Sequence, residues 1–256
     1  MNKFAGKLIM AALTVAMMSA CASHRWQITS VERSRILIDS TFDANDDETV
    51  NRFIAPYRQK VDSVMRPVVG HSARYMVGDR PESTLSNLLA DILVWAAPEY
   101  GEAPVMGVYN IGGIRAALPK GTVTYGDVLE IAPFENKICF LTLTGKDLLT
   151  LFGNIAAAGG EGVSRGVELI ITRDGRLTSA RLHGKEIDPE ADYRIATIDY
   201  LAEGNDKMTA FKSKKDFNSP QEASNDTRYI IADYFRYKKK EGATVDATVE
   251  GRIVVR

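Results

Sequence analysis

Val105-Met106-Gly107-Val108-Tyr109-Asn110-Ile111-Gly112-Gly113-Ile114-Arg115 is the stretch on which the rest of the chain is read. Residues 105–109 carry no charge and end at a turn signal, the pattern of a short strand buried on both faces. Two glycines follow, where backbone N–H groups can approach a ligand closely. Arg115 then offers a planar fork matched to carboxylate or phosphate oxygens. A tight turn beside a solvated arginine would be spelled the same way, so the meaning of this stretch depends on its neighbours.

Working outward, helices alternate with short strands. Upstream, Ser83 or Thr84 is placed to cap a helix that buries Leu85, Leu88, Leu89, Ile92 and Leu93. Downstream, Thr124-x-x-Asp127 spells a capping box for a short helix ending before Pro133. Lys137 to Leu143 reads as a strand, and Thr144 caps a helix carrying Leu148, Leu149, Leu151, Phe152 and Ile155 that stops at Gly159-Gly160. Val167–Thr172 and Leu177–Leu182 flank Arg173-Asp174-Gly175-Arg176, a hairpin signal. Tyr193–Ile198 and Ile253–Val255 are further strands. A last helix, Arg228–Tyr237, runs into Lys238-Lys239-Lys240, where cations suit the helix C-terminus. Without strict strand–helix–strand alternation, this predicts an α+β fold with mixed β-sheets layered with helices.

Ahead of residue 80 the chain changes character. Val50, Phe53, Ile54, Tyr57, Val61, Val64 and Met65 form one apolar stripe of a helix starting near Asp47, with a break or kink expected at Pro56. Residues 21–47 read as a tether, with a short strand expected at Arg35–Ile38 and an acidic turn at residues 43–48. Residues 1–20 pair a positive start, Lys3 and Lys7, with an apolar run too short to span a bilayer, so they read as a cleaved leader. Met18-Ser19-Ala20-Cys21 resembles the lipobox of bacterial lipoproteins, which implies lipidation at Cys21 and a lipid-anchored place in the bacterial cell envelope, periplasmic or at the outer-membrane surface. Ordinary cleavage after Ala22 fits the same letters. Cys139, in an apolar run, reads as a small buried hydrophobe.

Composition narrows the function. The chain has 256 residues, 45% hydrophobic and 25% charged, enough for one sizeable core. Net charge is -1, and residues 1–20 hold two of the 32 basic residues and none of the 33 acids. That balance supplies no basic footprint for nucleic acid. The three histidines, His24, His71 (placed in a loop) and His183, stand in no metal-ligand motif, and no nucleophile elbow or P-loop is present.

Two further loops carry site chemistry. Pro133-Phe134-Glu135-Asn136 sets a ring beside an amide, suited to stacking on a base and bonding its edge. Tyr200 ahead of Gly204-Asn205-Asp206 supplies a second ring and a carboxylate. Taken with Glu82–Asp91, Asn110–Arg115, Tyr125–Asn136, Thr144–Leu148 and Tyr193–Asp206, in that order, the chain resembles the C-terminal domain of bacterial 5'-nucleotidases and UDP-sugar hydrolases over residues 48–255, with 48–79 similar to the family's interdomain helix and loop. The resemblance implies that Arg115 meets phosphate or the nucleoside's polar edge, Phe134 and Tyr200 sandwich the base, Asn136 bonds its edge and Asp206 holds ribose. Arg80 joins them on a looser match. In that family a separate N-terminal metallophosphoesterase domain holds two divalent metals and performs hydrolysis. This chain is therefore expected to hold no metal or catalytic residue of its own and to be inactive alone. Three readings stay open: the nucleotide-recognition half of a split enzyme with a metallophosphoesterase partner, a non-hydrolytic nucleotide- or nucleoside-binding lipoprotein, and a structural surface protein whose pocket has lapsed. Asn205 and Lys207 stand where the family has glycine, as does Ser86, and the first two put the ribose-side turn in question.

Overall fold

The computed structural model describes residues 26–37, 39–41 and 47–256. The leader, Cys21 and His24 lie outside those residues. By internal contacts the chain divides into two units, residues 1–52 and 53–256. In the described part of the first, Trp26, Ile28, Val31, Ile36 and Leu37 are exposed. Of Arg35–Ile38, expected as a strand, the described residues 35–37 have no regular structure, since a short apolar run becomes a strand only where a neighbour supplies its hydrogen bonds.

Helix α1 (Glu48–Met65) starts where its stripe predicts but passes through Pro56 without a break. The ring removes one backbone donor, and the turns on either side retain theirs. None of its residues is buried, and Val50, Phe53, Tyr57, Val61 and Val64 are all exposed.

The elements that follow are β1 (Val68–Ser72), α2 (Thr84–Ala96), β2 (Met106–Tyr109), β3 (Gly121–Thr124), α3 (Tyr125–Ile131), β4 (Ile138–Thr144) and α4 (Gly145–Ala157). Then come β5 (Gly162–Val163), β6 (Val167–Ile171), β7 (Leu177–Leu182), β8 (Lys185–Glu186), β9 (Asp192–Ile198), α5 (Asp199–Ala202), β10 (Lys215–Asn218), α6 (Thr227–Lys240) and β11 (Ile253–Val255). His71, expected in a loop, sits on β1.

The caps explain why the helices begin where they do. Ser83 accepts from the Ser86 amide while Ser86 Oγ takes the Ser83 N–H at 3.1 Å, a reciprocal box. Ser86, a departure from the family's glycine, thereby takes on a structural role at the start of α2. Thr124 and Asp127 close the second box, with the Thr124 amide donating to Asp127 Oδ2 at 2.6 Å. At the start of α4 the Asp147 amide donates to Thr144 Oγ1 at 3.2 Å.

Among the described residues two mixed sheets and one antiparallel pair result. A five-stranded sheet runs in the order β10-β4-β9-β2-β5, a four-stranded one in the order β11-β6-β7-β8, and β1 pairs with β3. The long antiparallel ladder of β4 and β9, from Ile138↔Ile198 to Thr144↔Asp192, is the spine of the larger sheet. Residues 138–143 of β4 are buried without interruption, which is why the sequence shows an apolar run rather than alternation. Helix α2 covers β2, with the buried Leu85, Leu88, Leu89, Ile92 and Leu93 as its inner face. Cys139 lies fully buried on β4 as a free thiol, and burial pushes its pKa up. Among the described residues no helix is long and apolar enough to cross a membrane.

Candidate functional site

Strand directions bring three loops to one end of the large sheet. β2 pairs with β9 in parallel through Met106↔Ile195 and Gly107↔Ala196, so the segments leaving both strands emerge together. β4 runs the other way, its start at Ile138 facing the end of β9 at Ile198. The residues entering β4 therefore join them. Ligand sites in open sheets form at such strand ends.

The loops enclose a cavity of about 280 Å³ lined by Asn110, Gly112, Gly113, Arg115, Phe134, Asn136, Tyr200 and Asp206. Five of the six residues expected at a ligand site, Arg115, Phe134, Asn136, Tyr200 and Asp206, thus share one pocket. The sixth, Arg80, is not among the lining residues. Its guanidinium pairs with Glu161 and donates from Nε to the Gly160 carbonyl at 2.9 Å.

Each wall has its own support. The Ile111–Gly113 turn is a single 3-10 turn after β2, and a Cβ at Gly113 would fall 2.6 Å from Asn110 Oδ1. A larger residue there displaces the Asn110 side chain. Arg115 is tied back by its amide to the Ile131 carbonyl at 3.0 Å. Its guanidinium stands 6.0 Å from the Phe134 ring centroid. The Phe134 loop is pinned from the start of α6. Asp226, almost fully buried, binds Lys137 and takes Arg228 Nη2 at 2.8 Å, while Arg228 also reaches Glu135 at 3.0 Å. Burial pushes the Asp226 carboxyl up, but the two cations outweigh it and hold it below the ordinary carboxylate range.

The third wall answers the question raised by the glycine replacements. The turn forms, with Asp206 at φ 51° and Lys207 at φ 65°, both left-handed. Asp206 is fixed from two sides. Tyr200 donates its hydroxyl to Oδ1 at 2.9 Å, and Asn110 donates its Nδ2 to Oδ2 at 2.8 Å. The bond to Asp206 raises the Tyr200 hydroxyl pKa. Asn205 Nδ2 closes the turn onto the Tyr200 carbonyl at 2.9 Å.

Chemically, the pocket offers two aromatic faces, Phe134 46% and Tyr200 38% exposed, one cation, two amides and one carboxylate. Flat, polar-edged ligands with a negative group suit it. Among the described residues, no group of three His, Cys, Asp or Glu side chains is placed to hold a metal ion. Reading the sequence missed Asn110's bond to Asp206, although Asn110 stood in the quoted stretch, and missed Glu161 altogether.

A family model described as 5'-nucleotidase, C-terminal domain, matches residues 68–213. The chain is 24% identical over 199 residues to Protein UshA of Escherichia coli (strain K12), which covers 77% of this chain and 35% of that protein. It is 29% identical over 219 residues to the trifunctional nucleotide phosphoesterase protein YfkN of Bacillus subtilis (strain 168), covering 77% of this chain and 14% of that one. The chain thus spans about a third or less of these relatives. Among solved structures, the 5'-nucleotidase precursor from Thermus thermophilus superposes with a TM-score of 0.69 at 28% identity, covering 82% of this chain and 43% of that one.

Proposed function

Because this chain belongs to the 5'-nucleotidase C-terminal domain family, we propose that it is the nucleotide-recognition half of a 5'-nucleotidase-type phosphohydrolase, with hydrolysis performed by a separate metal-bearing phosphoesterase chain. The observation that carries this reading is the convergence of Phe134 and Tyr200, from segments far apart in sequence, on one cavity with Arg115, Asn136 and Asp206. The rings take the base between them, Asn136 bonds its edge, Asp206 accepts from the sugar and Arg115 faces the phosphate end. The exposed stripe of α1 supports a partner chain, since a row of Val50, Phe53, Tyr57, Val61 and Val64 facing water is stabilised when another polypeptide covers it. The same reading anchors the chain to the bacterial cell envelope through lipid on Cys21. Metabolic labelling with a fatty acid tests that anchor, and label retained after Cys21→Ala overturns it.

Titration calorimetry with AMP and adenosine tests the main reading, with phosphate release followed in added Mn²⁺. Binding without release is the expected outcome. Phosphate release by the pure chain overturns the division of labour, and no binding at millimolar nucleotide overturns the recognition role.

A further inference from the structure

Glu161 is an unusual residue to find inside this fold. It follows Gly159-Gly160, where the letters suggest a solvated turn, yet its side chain is fully buried. One oxygen, Oε2, accepts the Ile111 N–H at 2.6 Å, and the other takes Arg80 Nη2. Ile111 opens the 3-10 turn of the pocket, and the preceding Asn110 makes no side-chain cap to it. Its N–H is one of the donors that a helical start leaves without a partner, and Glu161 supplies that partner from 50 residues away.

A buried carboxylate needs a counter-charge, because an unpaired one loses the solvation it had in water. Here the counter-charge is Arg80, whose Nε is fixed on the Gly160 carbonyl at 2.9 Å. The two segments are pressed together. Gly160 sits at φ +118°, and a Cβ there would collide with the Pro81 carbonyl oxygen. Burial pushes Glu161 toward its neutral form, the Ile111 amide and Arg80 oppose that push, and the charge of Asp206 adds to it last.

We propose that Arg80 and Glu161 are a positioning pair. Glu161 clamps the Ile111 amide so that Gly112, Gly113 and Arg115 face the cavity, and Arg80 serves Glu161 rather than the ligand. This rests on the nucleotide-binding reading above and reassigns the arginine that the family resemblance places at the ligand.

The test uses Arg80→Met, Glu161→Met and the double variant Arg80→Met/Glu161→Gln, which removes both charges but keeps an acceptor for Ile111. AMP affinity and ligand-free amide exchange at Ile111 are measured on each. Arg80→Met and Glu161→Met should each weaken AMP binding about tenfold and speed Ile111 exchange. The double variant should recover to within about threefold of the wild type on both readouts. A double variant as weak for AMP as Arg80→Met, with Ile111 still protected, overturns the proposal, because Arg80 would then touch the ligand itself. Unchanged exchange in Glu161→Met overturns it as well. If the wild type binds no AMP, the nucleotide reading fails alone, and the exchange measurements still decide the clamp. Should Arg80→Met fail to fold, the comparison of Glu161→Met with the double variant carries the test.

Discussion

Replacing Phe134 by alanine removes one face of the pocket and little else. The ring is 46% exposed, so a base laid against it covers about 90 Å² of apolar surface, roughly half of what an aromatic side chain can bury. At about 25 cal/mol per Å² this amounts to about 2 kcal/mol, inside the ~1–3 kcal/mol measured for one base on one aromatic ring. Phe134→Ala is therefore expected to weaken AMP binding about thirtyfold. Folding should lose only about 1 kcal/mol, because the ring's cationic neighbour is the Arg115 guanidinium at 6.0 Å and the loop backbone is held independently through Asp226. Calorimetric titration gives the affinity, and thermal unfolding without ligand gives the stability. An affinity within twofold of a wild type that does bind AMP would refute the stacking argument. A large drop in stability would instead show that the ring belongs to the core.

Three other perturbations follow from the geometry. Lys207→Gly relieves a left-handed lysine at φ 65°; the gain of ~1–2 kcal/mol is partly offset by glycine's greater entropy loss, so thermal unfolding should move up slightly, with AMP affinity unchanged. Gly113→Ala drives a methyl to within 2.6 Å of Asn110 Oδ1. Asn110 is nearly buried and must leave Asp206, so affinity should fall about tenfold at a stability cost of ~1–3 kcal/mol. Asp226 has its pKa held below the ordinary carboxylate range. Its contribution is thus complete above the unfolded value of about 3.9 and is lost as pH falls through the lower folded value. Asp226→Asn should be less stable by about 2 kcal/mol at neutral pH and should lose less than the wild type on further acidification, as measured by denaturant titrations across the acid range.

Local rules made much of this fold readable. The caps at Ser83, Thr124 and Thr144 lie within four residues of the groups they satisfy, and the hairpin around residues 173–176 is spelled by its own turn, so neighbouring letters suffice. Taken singly, the pocket's aromatic, amide and carboxylate residues are weak signals that the family resemblance joins: Phe134 and Asn136 lie on the segment entering β4, Tyr200 on the short helix α5 and Asp206 on the turn after it. Glu161 escaped, since nothing near it in sequence reveals that Arg80, 81 residues away, neutralises it. The Asn110–Asp206 bond spans 96 residues and is equally silent. The break expected at Pro56 did not occur, for a different reason. A proline forbids one hydrogen bond but does not force a break when the surrounding turns remain intact, and the sequence shows the breaker without the strength of its neighbours.

The parallel pairing of β2 with β9 has a consequence for how this protein comes to exist. Thr197 Oγ1 closes that pairing onto the Val108 carbonyl across 89 residues of chain, and two of the three segments lining the cavity leave from this junction. Contacts of such long range are slow to form, because the loop entropy is lost before the contact rewards it. A growing or partly assembled chain holds these segments apart, and none of them alone encloses the cavity. Nucleotide therefore cannot act as a template for early folding. A nucleotide bound as proposed would act as a lock on the finished molecule, slowing escape from the native state while leaving the rate of reaching it untouched.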